Sequence, residues 1–216
     1  MFRSASNFSD NVDAVFLYIA GLSLIVLIGI TVTMVYFVIR YSRKRNPVPK
    51  NIEGNLTLEI LWTAIPFLLF MSMFYFGWVG YKDMRAIPAD AIDIRVTARM
   101  WQWSFEYPNG VKTDTLYVPV SKAVKVDLKS MDVSHAFYVP AFRIKKDVYA
   151  NKNNNLWFRS DKVGRYDIAC AEYCGLNHSK MYSAVQVMEQ KDFDAWFAEV
   201  SKKAGVQPTL VLQLKK

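Results

Sequence analysis

Two long uncharged segments dominate the first 81 residues of the chain. Residues 14–39 and 60–81 contain no Asp, Glu, Lys or Arg, and a helix needs about 20 apolar residues to cross a bilayer core. The pattern therefore predicts transmembrane helices at residues 14–40 and 58–81. A cleaved signal peptide is a poor alternative for the first segment, because the apolar run is too long and ends without a small-residue cleavage site. The alternative for the second is a buried core helix.

The loop between the two predicted helices is basic. Residues 41–57 carry four Lys or Arg and one Glu, whereas residues 1–13 carry one Arg and two Asp. Because short loops rich in Lys and Arg stay in the cytoplasm, we expect residues 41–57 to be cytoplasmic and residues 1–13 to be extracytoplasmic. The chain after residue 81 then forms an extracytoplasmic domain, which is long enough for a core of its own.

Beyond the second helix, apolar and polar residues alternate. The period is two at Ile92, Ile94 and Val96 and again at residues 124–128, which indicates half-buried strands. Turn signals, such as Pro-Asn-Gly at residues 108–110, separate many short segments of this kind. Such a pattern is typical of a small antiparallel sandwich or barrel. Residues 82–190 are therefore predicted to form an all-β domain.

The final segment, residues 191–216, is predicted to be a C-terminal helix followed by a tail. Phe193, Trp196 and Phe197 recur at helical spacing and define one apolar face, and Gly205 is typical of a helix end. We expect this face to pack against the β domain.

Most of the formal net charge of +8 lies in the exported part of the chain. After residue 81 there are 21 Lys and Arg against 15 Asp and Glu. No nucleic-acid-binding motif accompanies these bases, and an exported face meets no nucleic acid. We interpret most of them as a solvated surface.

Candidate chemistry is concentrated in the stretch "CAEYCGLNHSKM" at residues 170–181. It holds both cysteines of the protein, Cys170 and Cys174, together with one of its two histidines and a methionine. A disulfide is the ordinary expectation for two exported cysteines, although so short a closed loop would constrain the unfolded chain little. The accompanying side chains point instead to a metal.

Thiolate, imidazole and thioether groups together form the ligand set that copper selects. A blue copper site combines one Cys, two His and a weak Met, and this loop has that plan with an extra Cys. Two coppers bridged by both sulfurs are the natural inference. Zinc is the competing metal, but the spacing is unlike that of zinc fingers and Met is a poor zinc ligand. The candidate ligands are His135, Cys170, Cys174, His178 and Met181.

The loop resembles that of subunit II of the cytochrome c oxidases, which reads C-x-E-x-C-x-x-x-H-x-x-M and binds the binuclear CuA centre. The motif is complete here, and "DVSHAFYVP" supplies the other histidine. The resemblance extends to the two N-terminal helices, to "GNLTLEILWTAIP" at the second helix and to the aromatic block "MWQWSFEYPNG". It implies a cupredoxin-like Greek-key sandwich or barrel after the two helices.

By position, the resemblance implies a role for each ligand. Cys170 and Cys174 would bridge the two coppers, His178 and the backbone carbonyl of Glu172 would complete one of them, and the other would take His135 and Met181. No open coordination position remains, so the chain is expected to pass electrons and not to bind oxygen.

Three further residues have roles that the resemblance implies. Trp101 matches the exposed tryptophan at which cytochrome c delivers its electron, whereas the other aromatic residues of that block are expected to be core. The side chain of Glu172 would help to bind magnesium at the contact with subunit I, and its alternative is a solvent-facing carboxylate. Glu59 would lie at the mouth of a proton channel of subunit I, although a carboxylate in a first helical turn is favoured by the helix dipole alone.

The implied function is electron transfer within a respiratory terminal oxidase that reduces oxygen to water and pumps protons. The haems would belong to subunit I, and subunit III is a further expected partner. This chain lacks the C-x-x-C-H motif that attaches haem c, so the donor must be a separate c-type cytochrome. A short N-terminus without an Arg-rich leader favours the bacterial plasma membrane over the mitochondrial inner membrane.

Two departures from the family pattern affect these expectations. After "RIKKD" the family commonly continues with Pro-Gly, but here the chain reads "VYAN". The family also docks a basic cytochrome c on an acidic patch, yet this domain is net positive. Either Glu106, Asp114, Asp132 and Asp147 form a local acidic surface, or the donor is less basic or held in the membrane.

Two other functions stay open from the sequence. The first is a related complex with the same centre, such as a nitric oxide reductase. The second is a metal-free membrane sensor whose exported domain is stapled by a disulfide between Cys170 and Cys174.

Overall fold

The computed structural model describes residues 5–48, 50–51 and 53–207. The chain forms two compact units. Asn11–Tyr81 make up one of them, and the other joins the segment before Asn11 to the chain from Lys82 onward.

The first unit consists mainly of two long helices. Helix α1 spans Ser9–Arg40 and helix α2 spans Leu56–Arg85, and both are long and apolar enough to cross a membrane. Each extends beyond the predicted residues 14–40 and 58–81, because the uncharged run marks only the apolar part. The added turns carry Asp at the start of α1 and Lys and Arg at the end of α2, and these charges favour the helix dipole.

The two helices contact one another through polar and aromatic side chains and at a glycine. Tyr18 and Ser72 share a hydrogen bond of 2.6 Å between their hydroxyl oxygens. At a second point of contact between the helices, a Cβ atom on Gly80 would lie only 2.8 Å from Nδ2 of Asn11. A larger residue at position 80 would therefore push the Asn11 side chain away.

The second unit is a sandwich of two five-stranded sheets followed by a helix. One sheet has the order β3-β2-β1-β5-β8 and the other the order β4-β10-β9-β6-β7. The strands of the first sheet are β1 (Ile92–Arg99), β2 (Gln102–Glu106), β3 (Lys112–Thr113), β5 (Ala123–Ser130) and β8 (Asn154–Arg159). Those of the second are β4 (Leu116–Pro119), β6 (His135–Val139), β7 (Ile144–Val148), β9 (Gly164–Cys170) and β10 (Tyr182–Met188).

The all-β prediction and its C-terminal helix are confirmed, but the sheets are not purely antiparallel. Strand β1 pairs with β5 in parallel, with Ile92 opposite Val124, and β4 pairs in the same sense with β10. The remaining pairs are antiparallel. A period of two identifies a strand but carries no information on the direction of its neighbour.

The core lies between the two sheets. Alternate residues of β1 and β5 point inward, and Val96 and Val126 are fully buried there. Helix α3 (Gln190–Lys203) covers one part of this core with Phe193 and Phe197, both 0% exposed. Trp196 of the same helix stacks on Tyr117 at 4.3 Å between ring centroids. The predicted apolar face therefore packs as expected, whereas the predicted tail at residues 208–216 lies outside the described residues.

The start of the chain packs onto the sandwich, which the sequence did not predict. Residue Asn7 exchanges two hydrogen bonds with Arg159 at the end of β8, through its backbone N–H (3.0 Å) and its side-chain oxygen (2.9 Å). Phe8 is 5% exposed and contacts Trp157 edge to face at 4.9 Å. Residues that precede α1 are thus part of the β domain's core.

Candidate metal centre

Adjacent strands bring the upstream histidine to the cysteine-rich loop. His135 is the first residue of β6 and Cys170 is the last residue of β9, and these strands pair with Phe137 opposite Cys170. The chain then loops out and returns as β10, where the N–H of Cys170 donates to the carbonyl of Met181 at 3.2 Å. Strands β6 and β9, which are neighbours in the sheet, and the loop between β9 and β10 therefore position all the predicted ligands.

Sulfur, nitrogen and oxygen ligand atoms converge in this loop. The sulfur atoms of Cys170 and Cys174 lie 3.7 Å apart and are not bonded to each other. Nδ1 of His135 is 3.7 Å from the sulfur of Cys170, and Nδ1 of His178 is 3.5 Å from that of Cys174. The Met181 sulfur lies 3.8 Å from Cys174. Every predicted ligand side chain is thus within reach of one of the two thiols.

The backbone supplies one further ligand atom. The carbonyl oxygen of Glu172 lies 3.2 Å from the sulfur of Cys170, on the loop that carries both cysteines. The ligand atoms of His135, Cys170 and Cys174 all lie within 4.8 Å of one another. Since metal–thiolate bonds are about 2.3 Å long, two sulfurs 3.7 Å apart can both bind the same ion.

The centre is buried among apolar groups. His135 and Met181 are 0% exposed, and Cys174 is 3% exposed. Burial raises the pKa of the Cys174 thiol to about 12, and the adjacent Cys170 thiol raises it in the same direction. A thiolate at this site therefore requires a bound cation to offset its loss of hydration.

Asp132 holds the imidazole of His135 from the side opposite Cys170. Its Oδ1 lies 2.8 Å from Nε2 of His135, and its Oδ2 accepts the backbone N–H of Met100 at 2.6 Å. Desolvation opposes ionisation of this carboxyl, but the hydrogen bonds from Met100, His135 and Val133 prevail and lower its pKa to about 2. An ionised acceptor at Nε2 favours the tautomer whose Nδ1 lone pair faces the thiol.

The sequence did not single out this role for Asp132, which was considered only as part of an acidic surface. The signal was its position three residues before His135, since histidine ligands commonly donate their second ring N–H to a carboxylate.

Trp101 lies against the metal loop but is half-buried, not exposed as the resemblance implied. A Cβ atom on Gly175 would be 3.6 Å from the indole Nε1 and 3.7 Å from the sulfur of Met100. The indole Nε1 is buried and has no hydrogen-bond partner among the described residues. Position 175 adopts a φ of +113°, so glycine suits the backbone there, and the indole lies at ordinary van der Waals distance from this position.

Trp103 is a second aromatic contact of the centre. Its indole lies edge to face with His135 at 6.3 Å between ring centroids, and its Nε1 donates to the carbonyl of Met181 at 3.5 Å. It is 4% exposed, as expected for a core residue.

The carboxylate of Glu172 is exposed on the loop. The nearby segment after "RIKKD" continues β7 to Val148, and the hydroxyl of Tyr149 donates to Asp147 at 3.1 Å. Asp147 also pairs with Lys145 at 2.9 Å, and the pKa of Lys145 is raised mainly by Asp147 and further by Glu172. The chain thus closes this region without the family's Pro-Gly.

Glu59 belongs to the helical unit and lies in the first turn of α2. It is exposed, and its backbone N–H donates to the carbonyl of Asn55 at 3.0 Å. The side chain of Asn55 accepts the N–H of Leu58 at 3.1 Å, which caps the helix.

Comparison with known proteins identifies the family in both units. Residues 1–77 match the transmembrane domain of cytochrome c oxidase subunit II, and residues 110–188 match its periplasmic domain. Cytochrome c oxidase subunit 2 of Cereibacter sphaeroides is 28% identical over 214 residues, which cover 81% of this chain and 71% of the relative. That of Alkalihalophilus pseudofirmus is 33% identical over 205 residues, which cover 88% of this chain and 60% of the relative.

A solved structure agrees with these matches. The periplasmic domain of subunit II of cytochrome oxidase (CoxB) of Bradyrhizobium japonicum superposes with a TM-score of 0.53 at 32% identity, and the match covers 55% of this chain and 99% of that domain. The chain therefore belongs to the cytochrome c oxidase subunit II family.

Proposed function

We propose that this chain is the electron-transfer subunit of a membrane-bound cytochrome c oxidase and that it holds a binuclear CuA centre. The observation that carries the proposal is the convergence of two thiols, two imidazole Nδ1 atoms, one thioether and one backbone carbonyl in a buried loop. Soft sulfur with imidazole suits copper. The set exceeds the four ligands of a closed zinc site, which favours two metal ions.

The proposed ligands divide into two groups. Cys170 and Cys174 would contribute to both metal positions, His178 and the carbonyl of Glu172 would hold one ion, and His135 and Met181 would hold the other. When bound, the two coppers share one electron, so the change in charge is spread over many bonds and reorganisation is small. The protein's own contribution is to keep the ligands rigid: both histidines and both cysteines lie at strand ends or in a short loop anchored at β9 and β10.

The proposed path into the centre passes through Trp101. Its indole packs against Gly175 within the metal loop, so an electron that reaches the ring has only a short distance to cross. Half-burial of the ring excludes water from this path while leaving an edge for contact with a donor.

Two carboxylates have proposed roles toward subunit I. The exposed side chain of Glu172 is available to a hard cation such as magnesium, which prefers oxygen ligands, while its carbonyl faces Cys170. Glu59, at the start of α2, is proposed to lie at the mouth of a proton channel. Its exposed position in the first helical turn supports access to water.

The proposed complex contains a haem-bearing subunit I, subunit III and a separate c-type cytochrome as donor. In it, electrons reach haem in subunit I, where oxygen is reduced to water and protons are pumped. The two helices would anchor the chain in a bacterial plasma membrane, with the basic loop in the cytoplasm and the β domain on the outer side.

The experiment that tests this function is purification of the complex through a tag on this chain. We expect haem-bearing subunit I to co-purify, two copper atoms per chain beyond those of subunit I, and oxygen consumption with a c-type cytochrome. A large subunit that reduces nitric oxide but not oxygen would instead identify a nitric oxide reductase. A disulfide between Cys170 and Cys174 in freshly isolated protein, without copper, would contradict the proposal and favour the sensor.

A further inference from the structure

We propose that the face around Trp101 binds its electron donor through apolar contacts and selects a c-type cytochrome whose docking face is not strongly basic. The inference rests on the proposed function and adds the chemistry of the donor. It follows from the exposed apolar side chains on the segments that adjoin Trp101 and from the pairing of most acids on the neighbouring sheet face with bases.

Four exposed apolar side chains lie on the segments that adjoin Trp101. We call this set the apolar rim: Met100 (44% exposed), Met131 (66%), Val133 (40%) and Leu176 (88%). Exposed apolar side chains that gather at one place mark interaction sites more often than scattered ones do.

Backbone contacts hold the members of the apolar rim together. The N–H of Met131 donates to the carbonyl of Ala98 at 2.9 Å, and Asp132 accepts the N–H of Met100 at 2.6 Å. The turn at residues 131–133 is thereby fixed beside the residues that precede Trp101. Leu176 follows Gly175, which lies against both Met100 and Trp101.

Two charged residues close to Trp101, Arg99 and Asp132, are each held by hydrogen bonds within the protein. Arg99 is exposed and donates to Gln102 at 3.0 Å. Asp132 uses both carboxylate oxygens within the protein, since they face His135, the N–H of Met100 and the N–H of Val133. Its carboxylate oxygens therefore already have hydrogen-bond donors within the protein.

Ion pairs between acids and bases follow along the outer face of the first sheet. A groove lined by Met131 and Arg99 extends to Glu106, Lys112 and Asp114. Glu106 contacts two bases, Arg95 at 3.0 Å and Lys112 at 3.4 Å.

On β5, Lys125 pairs with Asp93 at 2.9 Å and with Asp127 at 3.1 Å. Among the described residues on and beside this face there are five bases and four acids. They are Arg95, Arg99, Lys112, Lys125, Lys129, Asp93, Glu106, Asp114 and Asp127.

This charge pattern offers no advantage to a strongly basic donor. Electrostatic steering of a basic cytochrome needs uncompensated acids, and it raises association rates by about 10- to 1,000-fold at low salt, a gain that is lost as salt screens the charges. Here three of the four acids, Asp93, Glu106 and Asp127, already have basic partners, so the main attraction must come from the apolar rim. A donor whose haem edge is apolar and whose surrounding protein surface is neutral or acidic fits this face.

The test measures reduction of the copper-loaded full-length chain in detergent by a strongly basic and by an acidic c-type cytochrome. Ionic strength is raised from about 10 mM, where charges interact over about 30 Å, to about 300 mM, where screening is strong. We expect the rate constant for the acidic donor to equal or exceed that for the basic donor, and the constant for the basic donor to change less than about twofold with salt. A fall of tenfold or more for the basic donor would overturn the inference.

Failure of the proposed function gives a different result. If neither cytochrome reduces the chain although its copper spectrum is intact, both the proposed electron transfer and the docking inference are wrong. If only the salt dependence differs from expectation, the docking inference alone is wrong.

Substitutions separate apolar docking from charge. Met131→Gln should lower the rate constant at least threefold without changing the copper absorption spectrum. Val163→Gln is the matched control, because Val163 is 50% exposed and lies at the opposite end of β9 from Cys170. Equal rates for the two variants would contradict an apolar docking site.

A charge reversal provides the converse test. The double substitution Lys112→Glu and Lys129→Glu makes the outer face acidic, so the basic donor should react several-fold faster at low salt and lose that gain at high salt. Absence of any gain would show that donors do not approach this face.

Discussion

The carboxylate of Asp132 lies 2.8 Å from Nε2 of His135, on the side of the ring away from Cys170. The same carboxylate accepts the N–H of Met100, the residue before Trp101. One side chain thus fixes both a proposed copper ligand and the backbone that carries the proposed site of electron uptake.

Replacing Asp132 should weaken copper binding. Loss of a carboxylate behind a histidine ligand typically lowers metal affinity by about 10- to 100-fold, so Asp132→Ala should fall in that range. Asp132→Asn retains one acceptor oxygen and should lose less. Competition with a copper chelator measures both affinities, and Asp114→Asn, an exposed site, is the control. An unchanged affinity in Asp132→Ala would contradict the positioning role.

Trp101→Phe should slow electron uptake and leave the copper centre intact. The smaller ring removes the indole that packs against Gly175 but no ligand. We expect the rate of reduction by a c-type cytochrome to fall about tenfold, equivalent to about 1.4 kcal/mol in activation free energy, with an unchanged absorption spectrum.

The matched control for Trp101→Phe is Trp196→Phe. Trp196 stacks on Tyr117 beneath α3 and has no proposed part in electron transfer. If Trp101→Phe turned over with cytochrome c at the normal rate, its proposed role would be wrong.

Tyr107→Phe should destabilise the β domain without affecting copper. The buried hydroxyl donates to the carbonyl of Tyr117 and accepts the N–H of Tyr117, both at 2.8 Å, and burial raises its pKa. Removing the hydroxyl leaves both backbone groups without this partner, which costs about 1–3 kcal/mol. Denaturant unfolding of the full chain measures the loss. Tyr182→Phe, at a side chain 62% exposed, should change stability little.

Phe8→Ala should destabilise the β domain even though Phe8 precedes the first long helix. The ring is 5% exposed and contacts Trp157, so its truncation should cost about 3–5 kcal/mol. Unfolding followed by tryptophan fluorescence tests this. Phe16→Ala, in α1 and 58% exposed, is the control, and equal midpoints for the two variants would show that the N-terminal contact contributes nothing.

Local sequence patterns predicted the helices and strands well, because each of these elements is determined mainly by the residues within it. Uncharged runs identify helices α1 and α2, and alternation identifies β1 and β5. The ligand residues share one short motif, apart from His135, so their residue types already indicated copper. Their convergence in the structure supports the ligand set that the motif implied.

Long-range contacts could not be predicted in the same way. The parallel pairing of β1 with β5, the packing of Phe8 on Trp157 and the contact of Asp132 with Met100 each join residues far apart in sequence or depend on the course of a turn. The half-burial of Trp101 likewise depends on Gly175, which lies 74 positions later in the chain. None of these relationships leaves a periodic signal.

The central claim, a binuclear copper centre held by two bridging thiolates, is tested most directly by electron paramagnetic resonance of the copper-loaded full-length chain and its Cys174→Ser variant. We predict a mixed-valence spectrum with one unpaired electron shared by two copper nuclei in the natural chain, and loss of that signal in the variant. A spectrum of a single copper nucleus in the natural chain, or no retained copper, would contradict the claim.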